Sequence, residues 1–234
     1  MPLDGLERLD GVLLDGLEFC LAAYDALDAM RTKSDGIEEL RLLGSPQAKR
    51  LTEEVLPIAA LIQARYKAGS RLQVRWLSGS QSYDAQLYYR GAVVEALGVP
   101  REQFLEVVTA VQKTEHLVRE KTNQAGGAFA ARGTSREPRT GAIVSVPVAA
   151  EHADTARLFV SLILDRVARK AAGGYPADTS LLVNCDLGEV VLEDEWREIA
   201  EAVRQSLQGK NTSFVEIALY HHANAIAGVA GRHP

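Results

Sequence analysis

Hydrophobic residues recur every three or four positions through the N-terminal part of the chain. This repeat has the spacing of one helix face and consists of Leu6, Leu9, Leu13, Leu17, Leu21, Tyr24 and Leu27. It predicts an amphipathic helix over residues 3 to 31. Because several glycines weaken the first half of this helix, we expect it to form by packing its leucine face on the domain body, on a partner protein or on a second copy of the chain.

A second helical stretch begins at Ser45 and Pro46, where a good N-cap residue is followed by proline in the first turn. Pro57 lies inside this stretch and predicts a kink or break, because proline removes a backbone hydrogen bond. Glu53 and Glu54 lie in its middle. The helix therefore places two acids just ahead of the strand-rich part of the chain.

The remaining hydrophobic pattern alternates strands with helices. Residues 72 to 77 and 82 to 90 predict a hairpin of two strands, and FLEVVTA predicts a strand that passes directly into a helix. Further strands are predicted at AIVSVPV, SLLVNCD and FVEIALY, and helices over residues 151 to 172 and 194 to 207. This alternation predicts an α/β fold with a mixed central β-sheet flanked by helices. We assign residues 1–44 to an N-terminal helical extension and residues 45–234 to the α/β domain.

Composition and charge exclude some classes of protein. The 234 residues are 47% hydrophobic and 24% charged, which is ordinary for a soluble protein with a sizeable core. The chain has an acidic start and no apolar run near the roughly 18 residues of a membrane span, so we expect a cytoplasmic location and no membrane contact. Cys20 and Cys185 fit neither a metal site nor a disulfide framework. A net charge of -5 means that nucleic-acid binding would need a local basic face.

Two carboxylates interrupt predicted strands. Asp84 precedes AQLYY, and Glu106 lies in the middle of FLEVV. A buried, unpaired carboxylate costs several kcal/mol, so a shared metal ion would explain both, with the carboxylates within about 6 Å of each other. Two alternatives remain open: Glu106 forms an ion pair with Arg75 or Arg119, and Asp84 is a turn residue.

The order of these elements resembles the restriction-endonuclease-like PD-(D/E)xK nuclease superfamily over about residues 46 to 220. SYDAQLYY matches the strand with the aspartate, and FLEVVTA matches the strand with the glutamate. LFVSLILDRVARKAAGGYPADTSLLVNCD resembles the helix and buried strand that follow. The resemblance implies a restriction-endonuclease-like sheet and metal-dependent hydrolysis of phosphodiesters in DNA or RNA, in defence or repair.

The resemblance also implies roles for particular residues. Asp84, Glu106 and the main-chain carbonyl of Val107 would hold one or two Mg²⁺ or Mn²⁺ ions against the scissile phosphate. Glu54 would be the acid that some members place on the first helix, with Glu53 as the alternative. All of these groups are oxygen donors, which suits a hard divalent cation.

The family's lysine is missing at its usual position. Val108 stands two residues after Glu106, on the same strand face. Lys113 at the start of the following helix is the predicted substitute, with Gln112 and His116 as alternatives. The competing hypothesis is an inactive nuclease fold that serves as a scaffold, a dimerisation module or a nucleic-acid-binding module.

A basic group near the end of the helix over residues 151 to 172 is the candidate nucleic-acid contact. Arg166, Arg169 and Lys170 lie three and four positions apart and could hold a phosphate backbone. The alternative is a solvated helix C-terminus, where positive charge complements the helix dipole. His221 and His222 are predicted to be a surface pair, since no third nitrogen or sulfur ligand lies nearby in the sequence.

Overall fold

A mixed β-sheet organises the chain in the computed structural model, which describes residues 5–66, 71–92, 94, 100–129, 131–149, 151–187, 192–222 and 224–231. The strands are β1 (Leu13–Asp15), β2 (Arg71–Trp76), β3 (Ala85–Arg90), β4 (Glu102–Val111), β5 (Thr134–Arg136), β6 (Ile143–Ser145), β7 (Thr179–Asp186), β8 (Glu216–His221) and β9 (Asn224–Gly231). The α-helices are α1 (Gly16–Arg31), α2 (Gly36–Leu42), α3 (Pro46–Arg50), α4 (Leu56–Arg65), α5 (Glu115–Ala125), α6 (His152–Ala171) and α7 (Glu193–Leu207). A π-helical turn, Leu51–Val55, joins α3 to α4, and 3-10 turns occur at Gly5–Arg8 and Ala131–Gly133.

The main sheet has seven strands in the order β1-β2-β3-β4-β7-β8-β9. Strands β1 to β4 form an antiparallel meander. Strands β4, β7 and β8 are parallel, and β9 returns antiparallel to β8. The parallel connections pass through α6 and α7, as parallel pairing requires a crossover. The prediction of a mixed central sheet flanked by helices is therefore confirmed.

Each face of the sheet covers its own hydrophobic core. On one face, α1, α4 and the π-helical turn pack on β2, β3 and alternate residues of β4. On the other face, α6 and α7 pack on β7 and β8. Strand β7 is buried along nearly all of its length and contributes to both cores, as predicted for a strand buried on both faces. None of the described helices is long and apolar enough to cross a membrane.

Residues 3 and 4 of the predicted helix over residues 3 to 31 lie outside the described residues, and the rest is α-helical only from Gly16 onwards, after a 3-10 turn at Gly5–Arg8. The helix begins at Gly16, because the Asp15 side chain accepts a hydrogen bond from Leu17 N (3.0 Å) and Glu18 bonds back to Asp15 N (3.2 Å). Before it, Gly11 adopts a φ of 72°, which turns the chain so that β1 pairs with β2. A local capping box therefore sets the start of the α-helix.

The buried face of α1 is not the predicted leucine face. Phe19, Cys20, Ala23, Ala26 and Met30 are buried in the first core, whereas Leu17, Leu21 and Tyr24 are 45%, 66% and 39% exposed. The smaller side chains allow α1 to pack closely on α4. The boundary at residue 44 stays a prediction, but the residues on its two sides share one core.

The C-terminal half departs from the sequence-based prediction in three places. Only residues 143 to 145 of AIVSVPV form a strand, and β6 pairs with β5 in a separate hairpin. Strand β9 was not predicted. His221, expected at the surface, is 1% exposed beside Trp196, and burial together with His222 lowers its pKa to about 4.

Replacing Phe19 tests whether α1 belongs to the main folding unit. Phe19→Ala should lower the free energy of unfolding by about 3–5 kcal/mol, because it opens a cavity in a fully buried site. Leu21→Ala on the exposed side of the same helix should change it by less than about 0.5 kcal/mol. Urea unfolding followed by circular dichroism measures both. An unchanged main transition in Phe19→Ala would make residues 5 to 31 a separate appendage.

Candidate functional site

The site forms where β4 extends beyond the first residue of its neighbour β3. Ala85, the first residue of β3, pairs with Leu105, and β4 continues beyond that pair. Asp84 occupies the opening: its N–H donates to Leu105 O (2.8 Å), and its Oδ2 accepts from Val107 N (2.7 Å). The Asp84 carboxylate is thus held against the open edge of β4, beside Glu106.

Glu106 lies in the middle of β4 and is 6% exposed. Its Oε1 accepts a hydrogen bond from Nζ of Lys170, which lies in the last turn of α6. The predicted alternatives, Arg75 and Arg119, do not form this ion pair. Arg119 instead pairs with Asp186. Glu106 is therefore paired, but its partner comes from a helix that the sequence does not place near it.

Burial raises the pKa of both acidic groups at the site. Burial, followed by the charge of Glu106, raises the pKa of Asp84 to about 7, although the hydrogen bond from Val107 opposes this shift. Burial also raises the pKa of Glu106, and the hydrogen bond and charge of Lys170 oppose it. Burial alone would lower the pKa of Lys170, but Glu106 raises it. Two carboxylates thus share one ammonium group in a partly dehydrated site.

Glu54 lies at the border of this site, on the π-helical turn. That turn lies just before Pro57, whose missing N–H interrupts the regular helical bonding. Glu54 Oε2 accepts a hydrogen bond from Trp76 Nε1 (3.2 Å), and burial raises its pKa. Glu53 instead lies 3.9 Å from Lys49. Of the two candidate acids on this helix, Glu54 is the one whose charge reaches the acid pair.

The three predicted substitutes for the missing lysine lie away from the acid pair. From Glu106 to the end of β4 is roughly 16 Å along the strand, and Lys113 is exposed beyond that end. His116 follows in α5, and Gln112 Nε2 donates to a main-chain carbonyl (2.7 Å). Val108 packs against the second core. The structure brings a lysine from α6 to the acids instead.

The three basic residues predicted to act together on α6 have different surroundings. Lys170 pairs with Glu106, and the exposed Arg169 pairs with Asp165 on its own helix (2.7 Å). Arg166 is half-buried one turn before Lys170 and has no hydrogen bond or ion pair with any described residue. The three residues therefore do not form one phosphate-binding surface, and Arg166 and Lys170 share a helix side.

A sequence signal for the position of Lys170 does exist. Phe159, Ile163 and Val167 recur at four-residue steps and form the buried stripe of α6. Lys170 extends this stripe by a further three residues. A lysine on the apolar side of an amphipathic helix buries its methylene stem and carries its ammonium group either to water or to a buried acid. The stripe indicates that Lys170 faces the sheet, but it does not identify the acid.

The donor set at the site fits a divalent cation only in part. No group of three or more His, Cys, Asp or Glu side chains that could hold a metal ion occurs in the described ranges. Asp84 and Glu106 supply two carboxylates. The N–H and C=O of a strand residue point to the same side, so the Val107 carbonyl lies on the edge of β4 where its N–H meets Asp84. A cation would therefore bind through two carboxylates, this carbonyl and water.

Comparisons of the chain with protein-family models, with curated proteins and with solved structures found no match. The chemistry of the site is therefore inferred from its own side chains.

Replacing Asp84 tests whether its buried negative charge reduces the stability of the fold. The folded-state pKa is about 7, above the unfolded value of about 3.9, so Asp84 reduces stability as the pH rises from about 4 to about 7. Asp84→Asn should raise the free energy of unfolding by about 2 kcal/mol at pH 8 and show no gain near pH 4. Denaturation at both pH values measures the difference. Asp25→Asn, at an exposed position on α1, is the control, and an equal gain in that variant would contradict the explanation.

Proposed function

We propose that this chain is a metal-dependent nuclease that hydrolyses phosphodiesters in DNA or RNA. Its active centre would consist of Asp84, Glu106 and Lys170, with Glu54 as an accessory acid. The observation that carries this proposal is the ion pair between Lys170 and Glu106 beside Asp84. The lysine absent from the strand is replaced in space by one from α6.

The order of elements supports the proposal. An acid-bearing helix precedes an antiparallel hairpin, and the next strand carries the second acid. A helix then crosses to a parallel, fully buried strand, β7. The resemblance to the PD-(D/E)xK superfamily implies an order of this kind, with Glu106 on one strand and Asp84 just before its neighbour.

Each side chain would have a distinct part in the reaction. A Mg²⁺ or Mn²⁺ ion would supply Lewis-acid stabilisation of the charge that develops on the phosphate. Glu106, and Asp84 once it has lost its proton, would hold this ion. Lys170 would orient the attacking water or neutralise negative charge on the phosphoryl oxygens. Glu54, fixed by Trp76, would accept a hydrogen bond from the same water network.

A scaffold function is the second candidate, and two observations favour it. The Glu106 and Lys170 charges already neutralise each other without a metal, as in a purely structural ion pair. The exposed side of α1 presents Leu17, Leu21 and Tyr24, which suits a partner protein or a second copy of the chain.

Variants of the two lysines test the active centre. Lys170→Ala and Glu106→Gln should each reduce Mg²⁺- or Mn²⁺-dependent cleavage about 100-fold or more, because each removes a group that acts on the transition state. Lys113→Ala is the matched control and should retain full activity. Cleavage of labelled single-stranded and double-stranded DNA and RNA measures these effects, with circular dichroism to show that each variant is folded. Loss in Lys113→Ala with retention in Lys170→Ala would exclude the proposed centre.

Metal binding should release protons near neutral pH. Because Asp84 has a pKa of about 7 and binds metal only when ionised, Mn²⁺ should displace up to about one proton per site at pH 6 and almost none at pH 8.5. Apparent affinity should fall as the pH drops below 7. Titration calorimetry in buffers of different ionisation enthalpy counts these protons. Asp84→Asn should bind Mn²⁺ more weakly and release no proton. If the folded parent protein binds no Mn²⁺, the nuclease proposal fails and the scaffold function remains.

A further inference from the structure

One sheet face beside the acid pair is not packed under a helix. Residues Leu72, Val74, Trp76, Ala85 and Leu87 point into the first core, so the alternate positions of β2 and β3 point to the opposite face. There, α6 packs on β4 and β7, and no described helix packs extensively across β2 and β3. We call this surface the open face; its residues are Arg71, Gln73, Arg75, Gln86, Tyr88, Arg90, Glu102 and Phe104, all at least partly exposed.

Strand register places the open face directly beside the acids. Arg75 pairs with Gln86, and Gln86 pairs with Phe104. These three residues form a row across β2, β3 and β4. The next row on the same face, two residues further along, contains Asp84 and Glu106. Two residues of a strand span about 7 Å, so a chain lying on the open face would reach the carboxylates.

Three aromatic rings lie on or beside the open face. The Tyr83 and Phe104 ring centroids lie 4.7 Å apart with an interplanar angle of 53°. Gln86 Nε2 donates to the Tyr83 hydroxyl (3.2 Å), and the Tyr88 hydroxyl donates to Gln86 Oε1 (3.1 Å). The side-chain amide of Gln86 thus forms hydrogen bonds with both tyrosines. Three partly exposed rings are fixed in position before any ligand binds.

Positive charge surrounds these rings although the whole chain is acidic. Arg71 and Arg90 are cross-strand partners at the far end of the open face. Arg75 lies between them and the acids, and its Nε is buried without a hydrogen-bond partner. Glu102, which pairs with Tyr88 across the strands, is the one acid among the residues that define the open face.

We propose that the open face binds unpaired bases of single-stranded nucleic acid and presents the strand to the acid pair. This inference rests on the proposed nuclease function and specifies its substrate. Bases stack on aromatic side chains in a sequence-tolerant way, and arginines follow the phosphates. A regular duplex keeps its bases paired inside and cannot stack them on Tyr83, Tyr88 and Phe104. The combination of rings and arginines therefore favours a single strand.

Binding without metal tests this inference separately from cleavage. The probe is a fluorescein-labelled 12-nucleotide single strand, as DNA and as RNA, in low salt with EDTA, and anisotropy reports its affinity. The matched duplex is the competing ligand. The parent protein should bind the single strand at least about tenfold more tightly than the duplex, since one stacked base contributes that much or more.

Variants of one tyrosine separate stacking from packing. Tyr88→Leu keeps an apolar side chain but removes the ring, and it should weaken single-strand binding about tenfold or more. Tyr88→Phe should bind nearly as well as the parent protein. Tyr66→Ala, at a tyrosine 38% exposed after α4, should not change affinity. Arg75→Ala should lower the slope of log affinity against log salt by about 0.7, the value for one phosphate contact with a single strand.

The outcomes distinguish this inference from the nuclease proposal. Single-strand binding that depends on Tyr88, without cleavage under any metal, would support the open face and remove the nuclease function. Metal-dependent cleavage of duplex, with Tyr88→Leu binding normally, would keep the nuclease function and overturn the open face. Failure of the parent protein to bind either single strand would also overturn it.

Discussion

The structure around the site depends on one buried ion pair between Glu106 and Lys170. A carboxylate that is 6% exposed in the middle of a sheet requires a cation or a proton. Lys170 supplies one positive charge, and the neighbouring Asp84 leaves a second carboxylate without an equal partner. This arrangement arises because β3 begins only at Ala85, which pairs with Leu105. The edge of β4 beyond that pair is left open, and Asp84 occupies it. The site is therefore a place of unbalanced negative charge held by a rigid sheet.

The two hydrophobic cores fix this geometry from opposite faces. Leu105 and Val107 anchor β4 in the first core, and the stripe of α6 anchors Lys170 above the second. Because side chains alternate across a strand, Glu106 must then point towards α6. Burial of Asp84 in this rigid frame, followed by the nearby charge of Glu106, explains why the pKa of Asp84 is about 7 rather than near its value in water. A proton or a divalent cation could relieve the same repulsion.

The described helices cover one part of this sheet face and not another, and the part without a packed helix is the open face. Helices α6 and α7 cover β7 and β8, whereas the same face of β2 and β3 carries arginines and partly exposed rings. The first core covers the other side of these strands. In the proposed nuclease, these strands would give the substrate a path to the acids.

The sequence by itself determined the elements whose hydrophobic periodicity is strong, including β4, α6, β7 and α7. It also identified Asp84 and Glu106 as charges in unfavourable positions. It also favoured Glu54 without excluding Glu53. Only the tertiary structure decided the partner of Glu106, because Lys170 lies 64 residues away and no local pattern connects them. The same limit explains the N-terminus, where packing on α4 selected Phe19, Ala23 and Met30 over a regular leucine repeat. Local spacing determines which residues share a helix or strand face, whereas burial against distant elements determines which face and which charge partner are used.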